Sequence, residues 1–144
     1  MVTASTIAET LGGKSVLKER LADYAAVIHR ARAGLPYAAL EAVAKRYGIP
    51  LTTLARVIDL PARTLARRKK ERRLSASESD RLVRVARAAA AAEDVLEDRH
   101  KAGRWLQKPN RALGGVIPLD LLSSDLGTRE VETILGRIDY GVYS

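Results

Sequence analysis

The residues best suited to chemistry in this sequence are cations crowded into one short segment. Pro61–Arg73 holds seven Lys or Arg and one Glu, and so carries most of the formal net charge of +8. Charges along the rest of the chain are nearly balanced. A row of positive charges attracts a partner with a row of negative charges, and duplex nucleic acid is the commonest such partner. The sequence therefore predicts a nucleic-acid-binding segment here.

The cations of this segment fall on different faces of the helix that the pattern predicts. Arg63, Arg67 and Lys70 recur at four and three residues, and so share the face opposite Leu65. Arg63 and Arg67 are expected to read base edges, because an arginine guanidinium pairs bidentately with guanine. The later cations suit phosphate contacts, and a threonine hydroxyl can add another. The candidate DNA-binding residues are Arg63, Thr64, Arg67, Arg68 and Lys70.

Groups that could support catalysis or bind a metal are sparse. His29 and His100 have no nucleophile or carboxylate partner at a recognisable spacing. The four carboxylates between Glu93 and Asp98 could hold a divalent cation, but a solvated helix face paired with Arg99 or Lys101 is the better interpretation. The chain has no cysteine, which excludes a disulfide and a thiolate metal site. We therefore predict a protein that is not an enzyme and has no metal or cofactor.

Apolar residues recur at helical spacing along most of the chain, which predicts an all-α fold. Ser75 and Glu78 have the spacing of a capping box, and Thr128 is placed to cap the last helix. Pro118 suits the first position of a short helix that follows two tight glycine loops. The predicted regions are a flexible arm at 1–15, a helical and helix-turn-helix region at 16–74 that opens with a helix from 16 to about 33, a long connecting helix at 75–104, and a small helical domain at 105–144.

Two registers of a helix-turn-helix fit the pattern. In the first, Gly48 makes the turn and residues 51–58 form the reading helix. In the second, Asp59-Leu60 makes the turn and residues 61–72 form it. The second is preferred, because residues 51–58 offer only Arg56 as a charge, whereas phosphate contacts supply much of the affinity for DNA. One such unit reads a short site, so a homodimer on a two-fold operator is expected.

The composition also bears on where the protein acts. No apolar run approaches the roughly 18 residues that span a membrane. The first residues lack the charged start and long apolar stretch of a secretory signal. The sequence therefore predicts a cytoplasmic protein without a membrane partner.

The last forty residues carry the most distinctive motifs. They include Trp105-Leu106, Pro109-Asn110, Leu113-Gly114-Gly115, Pro118–Leu122 and the closing stretch from Arg137 to Tyr143. Together these motifs resemble the toxin-binding domain of Xre/MbcA/ParS-type antitoxins. The stretch from Leu65 to Leu82 is similar to the Xre-like region that precedes that domain. The resemblance covers roughly residues 35–144.

This resemblance implies functions that composition could not indicate. Antitoxins of this type pair with RES-domain toxins, which degrade NAD; they cover the active-site cleft of the toxin and repress the shared operon. By that analogy the last helix and the residues after it face the toxin, while Trp105 is expected in the core. The candidate toxin-binding residues are Arg137, Tyr140, Val142, Tyr143 and Ser144. The alternative is a sequence-specific transcriptional regulator with no toxin partner.

Overall fold

The computed structural model describes residues 2–139, and this part of the chain is helical with short connections. No strand forms within it; only two isolated bridges, Pro36 with Arg73 and Asn110 with Val116, join extended residues. The predicted all-α fold is therefore confirmed. The helices are α1 Ala4–Thr10, α2 Gly13–Leu17, α3 Tyr24–Arg32, α4 Tyr37–Tyr47, α5 Leu51–Val57, α6 Ala62–Glu71, α7 Ala76–Leu96, α8 Arg99–Gln107, a 3-10 turn Arg111–Leu113, α9 Pro118–Leu121 and α10 Asp125–Asp139.

Helix α7 is the centre of the fold. It packs against α8, α10, α3 and α1, and a single cluster of buried side chains runs from Ala4 to Leu135. Ala88, Ala89 and Ala92 are completely buried. Their small side chains let neighbouring helices approach closely. The helix-turn-helix region and the last forty residues thus share one core.

The flexible arm predicted at 1–15 is wrong. Residues 4–10 form α1, and the Thr3 hydroxyl caps it by accepting a hydrogen bond from the backbone N–H of Thr6 at 3.1 Å. Ile7 and Leu11 are buried in the core. Their spacing completes an i, i+3, i+4, i+7 pattern with two alanines, a helical signal that the small polar neighbours obscure. A break does follow α1 at Gly12-Gly13, because Gly12 has φ 109°, which is outside the helical range.

The helix expected from 16 to about 33 is two shorter helices. Helix α2 ends at Lys18, which adopts a left-handed conformation with φ 63°. Helix α3 begins after Asp23, whose carboxylate accepts a hydrogen bond from Ala26 N–H at 2.8 Å. Tyr24 and Ile28 are half exposed, so the apolar stripe does not face the core continuously.

The long connecting helix is also shorter than the predicted 75–104. Its start is as expected, because Ser75 and Glu78 form a reciprocal capping box. Its end lies at Leu96, since Glu97 turns into a left-handed conformation and Asp98 caps α8 by accepting from Lys101 N–H at 2.9 Å. Helix α8 then folds back along α7.

The predicted capping role of Thr128 is wrong. The side chain of Ser124 accepts a hydrogen bond from Gly127 N–H at 3.0 Å, one turn earlier than expected. Thr128 is buried inside α10, and its hydroxyl donates to the carbonyl of Ser124 at 2.8 Å. Pro118 does occupy the first position of α9, as predicted.

Helices α4 and α8 meet so closely that a glycine is required. A Cβ on Gly103 would overlap the carbonyl oxygen of Tyr47. The side-chain amide of Gln107 adds a hydrogen bond to the carbonyl of Gly48 at 3.2 Å. These contacts fix the helix-turn-helix region against the C-terminal helices.

Candidate nucleic-acid interface

A tight turn joins α5 to α6. Asp59 adopts a left-handed conformation with φ 59°, and Leu60 is buried beneath the turn. The N–H of Leu60 donates to the carbonyl of Ala55 at 2.8 Å, which closes the turn. A helix, a tight turn and a second helix on this scale are the parts of a helix-turn-helix. The same parts occur one helix earlier, where Gly48, with φ 63°, joins α4 to α5. Both registers considered from the sequence are thus present in the fold, and the one that ends in α6 has the cations on its second helix.

Helix α6 lies on the surface and carries its cations outward. None of its residues is buried, and Leu65 packs partly against the core. Thr64 is half-buried near the start of the helix. Arg63, Arg67 and Lys70 are exposed, which agrees with the face predicted from their spacing. The candidate base-reading and phosphate-binding groups are thus free to meet a duplex.

Arg68, one of the candidate DNA-binding residues, differs from its neighbours because carboxylates already occupy its guanidinium. Its Nε lies 2.8 Å from Glu78 Oε1 and its Nη2 lies 3.1 Å from Glu78 Oε2. Its Nη1 donates to Glu71 at 3.0 Å. These hydrogen bonds raise the pKa of the Arg68 guanidinium above its usual range. One cation of the basic segment is therefore neutralised by carboxylates within the protein.

A shallow groove lies beside the turn. It has a volume of about 260 Å³, and Thr52, Arg56, Asp59 and Pro61 are among its lining residues. Arg56, the cation of α5, donates from Nη1 to Asp120 Oδ1 of α9 at 3.4 Å. All the lining residues belong to α5, the turn and α6, and Arg56 links this groove to α9.

The second candidate surface is α10. Arg137 is exposed on this helix, while Tyr140, Val142, Tyr143 and Ser144 lie outside the described residues. Sequence reasoning missed Leu126, whose side chain is 76% exposed. The sequence contained a signal for this exposure, because Leu126 is out of phase with the buried apolar stripe of α10 that contains Val131 and Leu135.

The distinctive motif after α8 is structural. Trp105, expected in the core, is only half-buried and packs against the edge of the core. The Asn110 side chain accepts a hydrogen bond from Ala112 N–H at 2.9 Å, and its backbone pairs with Val116. Gly114 and Gly115 both have positive φ in the loop that Asn110 closes. This loop leads the chain from α8 to α9.

Glu93, expected on a solvated helix face paired with Arg99 or Lys101, is instead half-buried and paired with α4. Glu93 accepts from the Arg46 guanidinium at 3.0 and 2.9 Å and from the Tyr47 hydroxyl at 2.8 Å, which ties α7 to α4. Burial, reinforced by the hydrogen bond to Glu93, raises the pKa of Tyr47 to about 12. No group of three or more metal-ligating side chains occurs among residues 2–139. Over the same residues, no helix is both long enough and apolar enough to cross a membrane.

Two known domains match adjacent parts of the chain. The Xre-like helix-turn-helix domain of antitoxins matches residues 26–87, which includes α5 and α6. The C-terminal toxin-binding domain of Xre/MbcA/ParS antitoxins matches residues 91–141, which begins inside α7 and includes α10. The boundary between the two matches thus falls inside the central helix.

Curated relatives agree with these matches. Antitoxin Xre of Pseudomonas putida is 40% identical over 92 residues, which are 63% of this chain and 58% of that protein. Antitoxin Xre of Yersinia enterocolitica is 36% identical over 98 residues, which are 67% of this chain and 66% of that protein. A Sphingobium protein named Prs ADP-ribosylating antitoxin is 31% identical over 80 residues, which are 49% of this chain and 50% of that protein. The chain matches less than two thirds of the length of each of these three relatives. The two adjoining domain matches show an Xre-like helix-turn-helix domain followed by a C-terminal toxin-binding domain of the Xre/MbcA/ParS type.

Proposed function

We propose that this protein is an antitoxin that neutralises a RES-type, NAD-degrading toxin by covering its active site, and that represses its own operon through the helix-turn-helix. It acts by binding and not by catalysis. The observation that carries the proposal is a cation-covered helix and an exposed C-terminal helix face on one shared core, each inside a matched antitoxin domain.

The DNA-binding half rests on α6. Its exposed cations, on a helix that follows a tight turn, suit insertion into the major groove with further contacts to phosphates. The residues proposed to contact DNA are Arg63, Thr64, Arg67 and Lys70, with Lys69 added as a phosphate contact. A homodimer would place two such helices on a two-fold operator.

The toxin-binding half rests on α10. Leu126, Thr133 and Arg137 are exposed, and Leu126 and Arg137 are eleven residues apart, which is about three helical turns and returns to the same face. Arginine is enriched among the residues that anchor protein interfaces, and Leu126 adds exposed apolar surface to the same helix face. Tyr140 and Tyr143, which come next in the sequence, extend the proposed surface.

Deleting residues 137–144 tests the two halves separately. We expect the truncated protein to lose protection against the proposed RES-type toxin, measured as growth and cellular NAD, while operator binding persists. A finer pair is Arg137→Glu against Arg104→Glu, an exposed arginine of α8, where only the first should impair protection. If the full-length protein binds the operator but gives no protection, the chain is a transcriptional regulator without a toxin partner. If the truncated protein still protects, the toxin contacts a surface other than the last residues.

A further inference from the structure

Helix α6 has few contacts to hold it in place. It buries no side chain completely, and its apolar contact with the core is the half-buried Leu65. At its C-terminal end, the carbonyl of Arg72 accepts a hydrogen bond from Tyr37 N–H at 3.0 Å, and Arg73 forms the bridge with Pro36. The helix is therefore held at its two ends, and polar contacts to a neighbouring element fix the orientation of the part between them.

Such a contact exists at the start of α7. The side chain of Glu78 is 7% exposed and holds the Arg68 guanidinium through two hydrogen bonds of 2.8 and 3.1 Å. The same carboxylate accepts the backbone N–H of Ser75 at 2.8 Å, as part of the capping box. The capping box thus orients the Glu78 side chain independently of its hydrogen bonds to Arg68.

The body around Glu78 is itself rigidly placed. Leu74 and Leu82, on either side of it in the sequence, are buried. The adjacent Ser79 hydroxyl accepts a hydrogen bond from Leu35 N–H at 2.8 Å, in the connection between α3 and α4. The Glu78 carboxylate therefore holds Arg68 of α6 at a fixed position relative to the core.

We propose that Arg68 and Glu78 form a clamp that sets the angle of α6, so that Arg68 is a positioning residue for DNA binding and not a DNA contact. The inference rests on the proposed DNA-binding function. Without the clamp, α6 would have to become ordered when DNA binds, and the free-energy cost of that ordering would lower the apparent affinity for DNA.

The protonation of Glu78 agrees with this role. Burial acts to raise the pKa of Glu78, but hydrogen bonds from Arg68 and Ser75 and the positive charge of Arg68 outweigh it and lower the pKa below its ordinary value. The carboxylate is thus charged at neutral pH, as a clamp on a guanidinium needs.

Charge-neutral substitutions separate the clamp from simple electrostatics. Glu78→Gln and Glu71→Gln each remove one negative charge from the same region. Glu71 bonds Arg68 only within α6, three residues along, so it cannot tie α6 to α7. Electrostatic attraction alone predicts that both variants bind DNA more tightly. The clamp predicts that Glu78→Gln binds about tenfold or more weakly, the size of a lost hydrogen bond to a charged group, while Glu71→Gln does not.

The measurement uses the full chain and a fluorescent duplex carrying the promoter region in front of its own gene. Arg68→Gln retains the capping box of Glu78, and it should lose affinity at every salt concentration with an unchanged salt slope. Lys69→Gln, a phosphate contact, should flatten the slope by about one unit. Equal affinities of the two glutamate variants, or a flattened slope in Arg68→Gln, would overturn the clamp.

Hydrogen exchange separates the failure of the clamp from a failure of the proposed function. If the wild-type protein does not bind the duplex, DNA binding is rejected and the clamp is judged on exchange alone. Amides of α6 should then exchange faster in Glu78→Gln than in Glu71→Gln, while those of α5 stay protected. Equal exchange in α6 for both variants would overturn the clamp.

Discussion

Neighbouring cations on α6 have different roles because their surroundings differ. Arg67 is exposed, whereas Arg68, the next residue, spends its donors on two carboxylates. A guanidinium that already satisfies carboxylates gains little from a phosphate, since it must break those hydrogen bonds first. The net charge of the segment therefore overstates the number of groups that can bind DNA.

Alanine substitutions on α6 should separate base reading from phosphate binding. Arg63→Ala and Arg67→Ala are each expected to cost about 1–3 kcal/mol of operator affinity and to relax the base preference, because a bidentate contact to guanine is lost. Lys69→Ala should weaken binding to all sequences and flatten the salt dependence by about one unit. Fluorescence anisotropy on operator and scrambled duplexes measures both effects.

Two outcomes would reject this assignment. Equal losses on every sequence for all three variants would mean that α6 reads no bases. An unaffected Arg67→Ala with a sequence-selective defect in Arg56→Ala would show that α5 is the reading helix.

The sequence locates these cations but not their partners. Arg63 and Arg67 could be placed outward because the i, i+4 period places side chains on one face. Arg68 and Glu78 are ten residues apart in the sequence, and their pairing depends on the angle at which the chain turns between α6 and α7. Local periodicity carries no information about that angle.

At the scale of elements, helices with strong local signals were predicted and those without them were not. The capping box of Ser75 correctly predicted the start of α7. Gly48 correctly marked the end of α4. The end of α7 was missed because Glu97 takes a left-handed conformation that glycine usually occupies. Helix α1 was missed because it is short and is stabilised by the burial of Ile7 and Leu11, and not by the helix propensity of its residues.

The packing of α8 on α4 should be sensitive to a single methyl group. Gly103→Ala is expected to lower the free energy of unfolding by about 1–3 kcal/mol, because the obstacle is the backbone carbonyl of Tyr47, which cannot rotate away. Gly136→Ala is the matched control: it lies within α10 with open space around it, and it should raise stability by about 0.5–1 kcal/mol. Urea denaturation followed by circular dichroism measures both, and a neutral Gly103→Ala would mean that α8 can shift along α4.

At the scale of the whole molecule, the two matched domains are not independent. The predicted regions 75–104 and 105–144 meet within one core, in which α7 packs against helices from both ends of the chain. A ligand that shifts α10 or α9 therefore acts on elements that also support α5 and α6. Sequence patterns marked the two functions separately, and only the packing shows that they share a scaffold.

The link most exposed to such coupling is the ion pair between Arg56 of the helix-turn-helix and Asp120 of α9. Its groups are 3.4 Å apart with side chains 66% and 40% exposed, so it is weak and easily exchanged. Arg56 lines the groove beside the start of α6, where a DNA backbone would pass. Asp120 thus competes with phosphate for this cation.

Asp120→Asn should release Arg56 to DNA. We expect affinity to rise about two- to fivefold, the upper size of a surface ion pair, with a salt slope steeper by about 0.9. Asp125→Asn is the control, because Asp125 pairs with Arg129 inside α10 and its loss changes the net charge equally. The gain should vanish when Arg56→Gln is added. If Asp120→Asn and Asp125→Asn bind DNA alike, the pair does not compete; if they differ, a toxin that engages Asp120 must strengthen operator binding, and DNA must strengthen toxin binding by the same factor.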